Sequence, residues 1–196
     1  MSSSILICGI GGQGTVLASK LICQAALSLN MEVHSAETIG MAQRGGSVVS
    51  HVRIGCDVHS PLIPFGRADV LIAFEPCEAV RNLPYLKKDG VIVVSDKVVQ
   101  PVTASLSGKT FDSSVMIDTL KKNAGRVIVL DTDTLSSELG SSKATNTLLL
   151  GAAAASGMLG VSLGDLKSAL GLLVKPQFVD LNLRALEMGA KCFLSK

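Results

Sequence analysis

Short apolar runs alternate with longer stretches of helical periodicity along the chain, and that alternation predicts its architecture. Runs too short for helices, rich in Val and Ile, read as strands at Ser4–Cys8, Glu32–Ala36, Ser47–Ile54, Val70–Phe74, Val91–Val94 and Val127–Leu130. Apolar residues recur at helical spacing over Thr15–Leu29, Cys77–Leu83, Ser114–Lys122, Lys143–Ala155, Leu163–Leu173 and Gln177–Met188. Strands alternating with helices predict an α/β fold of three α/β/α layers. Its sheet is expected to be mostly parallel and doubly wound, with a helix-rich C-terminal part and residues 1–196 in one domain.

Local details support these elements. Pro76 follows Glu75 at a strand end and suits the first position of a helix. Ser162 and Asp165 have the spacing of a capping box, with Asp in place of the longer Glu. In the last helix Asp180, Arg184, Glu187 and Lys191 recur on one face, while Phe178, Leu181, Ala185 and Met188 mark a core face. Lys20 is the only charge between Thr15 and Leu29, so both sides of that helix are expected to be covered.

Composition narrows the function. The 196 residues carry a net charge of +2 with one Tyr and no Trp, a poor profile for nucleic acid, which wants a basic stripe and stacking rings. The start, Met1-Ser2-Ser3-Ser4, lacks the charged region of a signal peptide. The 5 cysteines (8, 23, 56, 77 and 192) are scattered, without a C-x-x-C pair, and read as reduced thiols of a cytoplasmic protein. Charged residues are only 17% of the chain, and none falls between Ala144 and Gly164. Thr145, Asn146, Thr147, Ser156 and several glycines break that window as a membrane span. It reads instead as a helix buried on most sides, or as apolar surface covered by another subunit. An isolated copy is expected to self-associate through whatever patch is meant for a partner, as a homodimer for example.

The loop Gly9-Ile10-Gly11-Gly12-Gln13-Gly14 lies directly behind the first strand and opens into the first helix. Gly9, Gly11 and Gly14 satisfy G-x-G-x-x-G in the context that dinucleotide binding demands. Glu37 is the only acid near the end of the second strand suited to a ribose, and it comes late for the usual spacing. Gly12 and Gln13 are not explained by that fingerprint. The helix N-terminus offers N–H groups to an anion, but the same glycines also permit plain close packing against a partner.

A second constellation, Glu37 to Ser47, contains Arg44-Gly45-Gly46 and is expected at the same sheet edge. The planar fork of Arg44 suits a carboxylate or phosphate, and Gly45-Gly46 lets a ligand approach backbone. Pairing of Arg44 with an acid, on this chain or across an interface, is the simpler alternative.

Together these stretches resemble the gamma-type component of the 2-oxoacid:ferredoxin oxidoreductases. Met41-Ala42-Gln43-Arg44-Gly45-Gly46-Ser47, ending in His51-Val52-Arg53, is most similar to the small (beta) subunits of the indolepyruvate type. The resemblance continues through Ala73-Phe74-Glu75-Pro76, Glu78-Ala79-Val80-Arg81, Asn146, Gly151, Pro176, Asn182 and Ala185. It implies a complex that oxidises a 2-oxoacid with thiamine diphosphate, passes electrons through iron–sulfur clusters to ferredoxin, and transfers the acyl group to coenzyme A.

This chain lacks the matching motifs. Its one Gly-Asp, Gly164-Asp165, continues into Leu166 rather than into the family's thiamine pattern, and no cysteine run suits a cluster. The resemblance therefore implies that thiamine diphosphate, Mg²⁺ and [4Fe-4S] clusters belong to a large (alpha) subunit. This chain would bind none of them alone and would hold no catalytic residue. Gly11, Gly12, Gln13, Gly14, Arg44, Gly45 and Gly46 become candidates for closing the partner's cavity or touching an anion such as a coenzyme A phosphate. A free-standing NAD(P)-dependent dehydrogenase and a coenzyme-A-binding module are the rival functions.

Other polar residues read more plainly. Ser95-Asp96 and Asp131-Thr132-Asp133 follow strands and are expected as caps and turns. His34, His51 and His59 show no metal-ligand spacing, and His51 is expected to face solvent or a subunit contact.

Overall fold

A computed structural model describes residues 2–39, 45–100 and 112–194. In chain order the elements are β1 (Ser3–Ile10), α1 (Thr15–Ser28), β2 (Val33–Ile39), β3 (Ser47–Ile54), β4 (Ala68–Ala73), α2 (Pro76–Asn82) and β5 (Leu86–Ser95). They continue with α3 (Ser113–Asn123), β6 (Arg126–Leu130), α4 (Thr132–Leu139), α5 (Thr145–Ala155), α6 (Leu163–Leu173) and α7 (Pro176–Leu194). One sheet of six strands runs in the order β2-β3-β1-β4-β5-β6. β1, β4, β5 and β6 are parallel, whereas β3 is antiparallel to both of its neighbours. The mostly parallel α/β expectation holds, and β3 is the exception for a physical reason. Only seven residues, 40–46, separate β2 from β3, whereas a parallel return would need a crossover of a dozen or more.

Sequence explains which strands lie at the centre. Ile5-Leu6-Ile7-Cys8 is fully buried because β1 is flanked by β3 and β4 and covered on both faces. Ile5, Ile7, Val52, Val70, Ile72 and Val93 point into a core formed with α1, α4, α5, α6 and α7. Leu6, Cys8, Leu71, Ala73, Ile92 and Val94 point the other way, against α2 and α3. β2 is the edge strand, with Ser35, Glu37 and Thr38 exposed.

The charge-free window divides into α5, a turn, and the start of α6. Within α5 every residue from Asn146 to Ala154 is buried. Its backbone nearly touches that of α7: a Cβ built on Gly151 would stand 2.0 Å from the Leu186 carbonyl oxygen, and one on Gly189 would stand 1.9 Å from that of Leu148. Small residues therefore set this contact. Of the expected core face of α7, Ala185 is fully buried, while Phe178, Leu181 and Met188 are half-buried at its margin. The expected acid–base face of α7 engages α6 instead, where Lys167 Nζ donates to Glu187 at 2.6 Å. No helix among the described residues is long and apolar enough to cross a membrane.

Capping chemistry follows the sequence closely. Ser162 and Asp165 form a complete capping box for α6. Asp131 caps α4 by accepting the Thr134 N–H at 2.9 Å, and Gly140, at φ +73°, ends that helix. The periodicity did not predict α4, because its Thr- and Ser-rich sequence has little helix preference of its own.

Candidate functional site

The two glycine-bearing loops meet at the edge where β1 and β2 end. The Gly11 N–H donates to the Gly46 carbonyl at 2.8 Å, and the Gly45 N–H reaches the Gly11 carbonyl at 3.4 Å. Gly12, Gly14 and Gly45 have φ of +103°, +90° and +78°, left-handed backbone that other residues resist. Gln13 is internal bracing: its Oε1 accepts the Ile10 N–H at 2.7 Å and its Nε2 donates to the Phe74 carbonyl at 3.2 Å. That brace also explains Gly9, whose Cβ would lie 2.7 Å from Gln13 Oε1. Arg44 lies outside the described residues, as do Gly40, Met41, Ala42 and Gln43.

Behind the glycine loop a cavity of about 470 Å³ is lined by Gly12, Gly14, Leu17, Lys97, Lys143 and Asn146, among others. The α1 N-terminus points here with no acidic residue in its first turn and no side-chain cap, so its N–H groups and dipole favour an anion. Lys97 Nζ is engaged by Asp133 at 2.5 Å, and Lys143 Nζ lies 5.7 Å from the Phe178 ring. Asn146 is 6% exposed. Its Oδ1 accepts the Thr147 N–H at 2.9 Å, so the amide turns its Nδ2 donor toward the cavity beside Gly14. Thr147 donates onward to Asn182 Oδ1 at 2.6 Å, and Asn182 Nδ2 donates to the Phe178 carbonyl at 2.8 Å. This buried chain fixes the orientation of Asn146.

On the opposite face of the sheet, two buried glutamates of the Glu75-Pro76-Cys77-Glu78 turn adjoin the same edge. Glu75 caps α2 through Oε2, 2.8 Å from the Glu78 nitrogen, while its Oε1 has no hydrogen-bond partner. Burial pushes the Glu75 carboxyl above its ordinary range, against the opposing pull of the Glu78 N–H. Glu78 accepts from Ser47 Oγ at 2.5 Å and from Arg81 at 3.0 Å. Burial, reinforced by Glu78 and Glu75, raises the Cys8 thiol well above its usual value, so Cys8 is no activated nucleophile. Sequence reading placed Pro76 correctly at the start of a helix but did not foresee the glutamate contacts. The only signal was Glu-Pro at a strand end, which marks a cap.

Two expectations are corrected. His51 is buried, not solvent-facing: its Nδ1 accepts the Ile63 N–H at 3.2 Å and its ring meets Tyr85 edge-on at 5.6 Å. Strand alternation could not show that the loop 55–67 folds back over this face. Glu37 does not stand where a ribose-binding acid is needed. The antiparallel β3 separates β2 from β1, and Glu37 accepts a hydrogen bond from Ser19 of α1 at 3.1 Å. The dinucleotide reading thereby loses its acidic partner. Among the described residues no cluster of His, Cys, Asp or Glu is suited to a metal ion, and no cysteine forms a disulfide.

Comparison with known proteins agrees with this geometry. The profile of the pyruvate ferredoxin/flavodoxin oxidoreductase family matches residues 4–192. Indolepyruvate oxidoreductase subunit IorB of Thermococcus kodakarensis is 36% identical, covering 96% of this chain and 94% of that protein. The gamma subunit of a keto/oxoacid ferredoxin oxidoreductase from Geobacter sulfurreducens shares the fold at a TM-score of 0.72 and 24% identity, over 99% of both chains. A 2-oxoglutarate:ferredoxin oxidoreductase from Magnetococcus marinus, solved with 2-oxoglutarate, coenzyme A and succinyl-CoA, shares it at a TM-score of 0.75 and 21% identity. That match covers 100% of this chain and 31% of the larger one.

Proposed function

The chain belongs to the pyruvate ferredoxin/flavodoxin oxidoreductase family, and from that premise we propose that it is the small accessory subunit of an indolepyruvate- or arylpyruvate-oxidising complex. Its near-full-length likeness to IorB supports both the subunit role and the aryl substrate class. Its correspondence to 31% of a longer oxidoreductase chain supports a large partner that supplies the remaining machinery. Thiamine diphosphate, Mg²⁺ and [4Fe-4S] clusters are assigned to that alpha subunit, and ferredoxin is reached through the complex. The scattered cysteines of the sequence, with no run suited to a cluster, support this division.

The contact between the two glycine loops carries the proposal. Hydrogen bonding of Gly11 to Gly46 joins the two loops, and Gly11, Gly12, Gly45 and Gly46 leave backbone bare there. Such a surface can press against a partner and exclude water from the reacting centre, which strengthens electrostatic interactions inside. When bound on the partner, thiamine diphosphate supplies the decarboxylation, and the clusters carry the electrons away. Coenzyme A is the co-substrate, and its phosphates fit the cavity beside the loops. Asn146 Nδ2, Lys143, Lys97 and the first turn of α1 would hold them. Arg44, three residues before Ser47, would add a cation to the same edge.

The free subunit exposes Leu27, Phe65 and Leu172, which provide apolar surface for self-association until the partner covers it. Five scattered cysteines without a disulfide and the family role support a cytoplasmic complex. Titration of the co-purified complex with coenzyme A and with NAD⁺ tests the assignment. Coenzyme A should bind and NAD⁺ should not. Micromolar NAD⁺ binding by the isolated chain would overturn the proposal in favour of a dehydrogenase.

A further inference from the structure

Ser47 stands where three elements meet. Its backbone pairs with Ile10 at the last rung between β1 and β3. The carbonyl just before it, on Gly46, accepts the Gly11 N–H at 2.8 Å. Its hydroxyl donates to Glu78 Oε2 at 2.5 Å.

Glu78 is a fixed acceptor. Its side chain is 6% exposed, its N–H is held by Glu75 at 2.8 Å, and its carbonyl accepts Asn82 Nδ2 at 2.9 Å. Arg81 engages the other carboxylate oxygen at 3.0 Å. A hydroxyl-to-carboxylate hydrogen bond of this length is among the stronger kinds. The backbone that it restrains is intrinsically loose, since Gly45 and Gly46 are consecutive and Gly45 sits at φ +78°. Among the described residues the strap's other backbone hydrogen bond is the long 3.4 Å contact from Gly45 to Gly11.

We infer that Ser47 and Glu78 are positioning residues, whose hydrogen bond fixes the Gly45-Gly46 strap against the glycine loop and so sets the surface offered to the reacting centre. The inference rests on the reading that this edge closes the partner's active site. Ser47 is exposed at a strand end, so removing its hydroxyl leaves core packing intact and releases only the strap.

The test places Ser47→Ala and Ser47→Thr in the co-purified complex. Oxoacid-dependent viologen reduction is measured together with hydrogen–deuterium exchange at the Gly11 and Gly45 amides. Ser47→Ala should raise KM for the 2-oxoacid or coenzyme A by about fivefold to tenfold, with kcat within about twofold, because positioning rather than chemistry is lost. Amide exchange should quicken by about tenfold, the loss expected for a hydrogen bond to a charged group. The thermal midpoint should fall by only about 3–6 °C, the share of one such bond, and Ser47→Thr should restore both readouts. Wild-type KM and exchange in Ser47→Ala would overturn the inference, as would faster exchange spread over the whole sheet rather than confined to Gly11 and Gly45, or a failure of Thr to restore. If the wild-type complex shows no oxoacid-dependent turnover, the accessory-subunit reading fails. The exchange rates at Gly11 and Gly45 would still decide whether the latch exists.

Discussion

Replacing one glycine with alanine should have opposite effects at two helical positions of this protein. At Gly151, within α5, the added Cβ would lie 2.0 Å from the Leu186 carbonyl oxygen, against 3.4 Å for the nearest ordinary contact. The obstacle is α7 backbone, which no rotamer change can move aside. The helices must part by ~1.4 Å, and even a gap of about 1 Å forfeits up to half of each dispersion contact along the seam. Overpacking of this kind costs about 3 kcal/mol or more, while alanine's helix preference returns about 1 kcal/mol. The net loss is about 2 kcal/mol, or roughly 4–8 °C in thermal midpoint for a chain of this size.

Gly171, in α6, is exposed, with nothing within 4 Å of its built Cβ. There the same substitution should stabilise by about 0.5–1 kcal/mol. Urea unfolding followed by circular dichroism, with the m-values compared, measures both variants. A neutral or stabilising Gly151→Ala would refute the backbone contact between α5 and α7. A destabilising Gly171→Ala would show that its exposed site was misjudged.

Protonation gives two further tests of opposite sign. Burial lowers the His51 pKa from the ordinary 6.5. Its stability contribution is therefore complete above about pH 6.5 and lost as pH falls through the folded value, and His51→Asn should abolish that slope in urea midpoints. The Glu75 pKa is raised from 4.5, so its contribution is complete below 4.5 and lost as pH rises through the folded value. Glu75→Gln, which keeps an oxygen for the α2 cap, should flatten stability above pH 4.5; an unchanged slope would remove Glu75 as its source. In the assembled enzyme Asn146→Ala should raise KM for coenzyme A about tenfold with the oxoacid KM unchanged, and equal changes in both would show that Asn146 does not hold coenzyme A. Arg44→Ala should weaken either assembly or the kinetics for oxoacid and coenzyme A; wild-type behaviour in all of them would remove Arg44 from the site.

The strands and most helices were legible because burial writes a period into the sequence. Ile5-Leu6-Ile7-Cys8 reads as a central strand from its composition alone. The charge-free stretch in α5 announced burial on most sides, although nothing local revealed that Gly151 and Gly189 let two backbones meet. The hairpin that inserts β3 beside β1 was hidden, because a strand's apolar pattern does not state its direction. That one reversal moved Glu37 away from the glycine loop and undid the dinucleotide reading. Contacts between distant residues, such as Ser47 with Glu78 or His51 with Ile63, leave no periodic trace. Chain-wide resemblance supplied the function, whereas the G-x-G-x-x-G spacing alone would have favoured a nucleotide.

The most direct measurement is co-expression with a thiamine- and cluster-bearing large subunit, followed by co-purification and indolepyruvate-dependent ferredoxin or viologen reduction. The account predicts a stable complex that turns over with coenzyme A, and no activity from this chain alone. Failure to form a complex, or turnover by the large subunit undiminished without this chain, would contradict the accessory role.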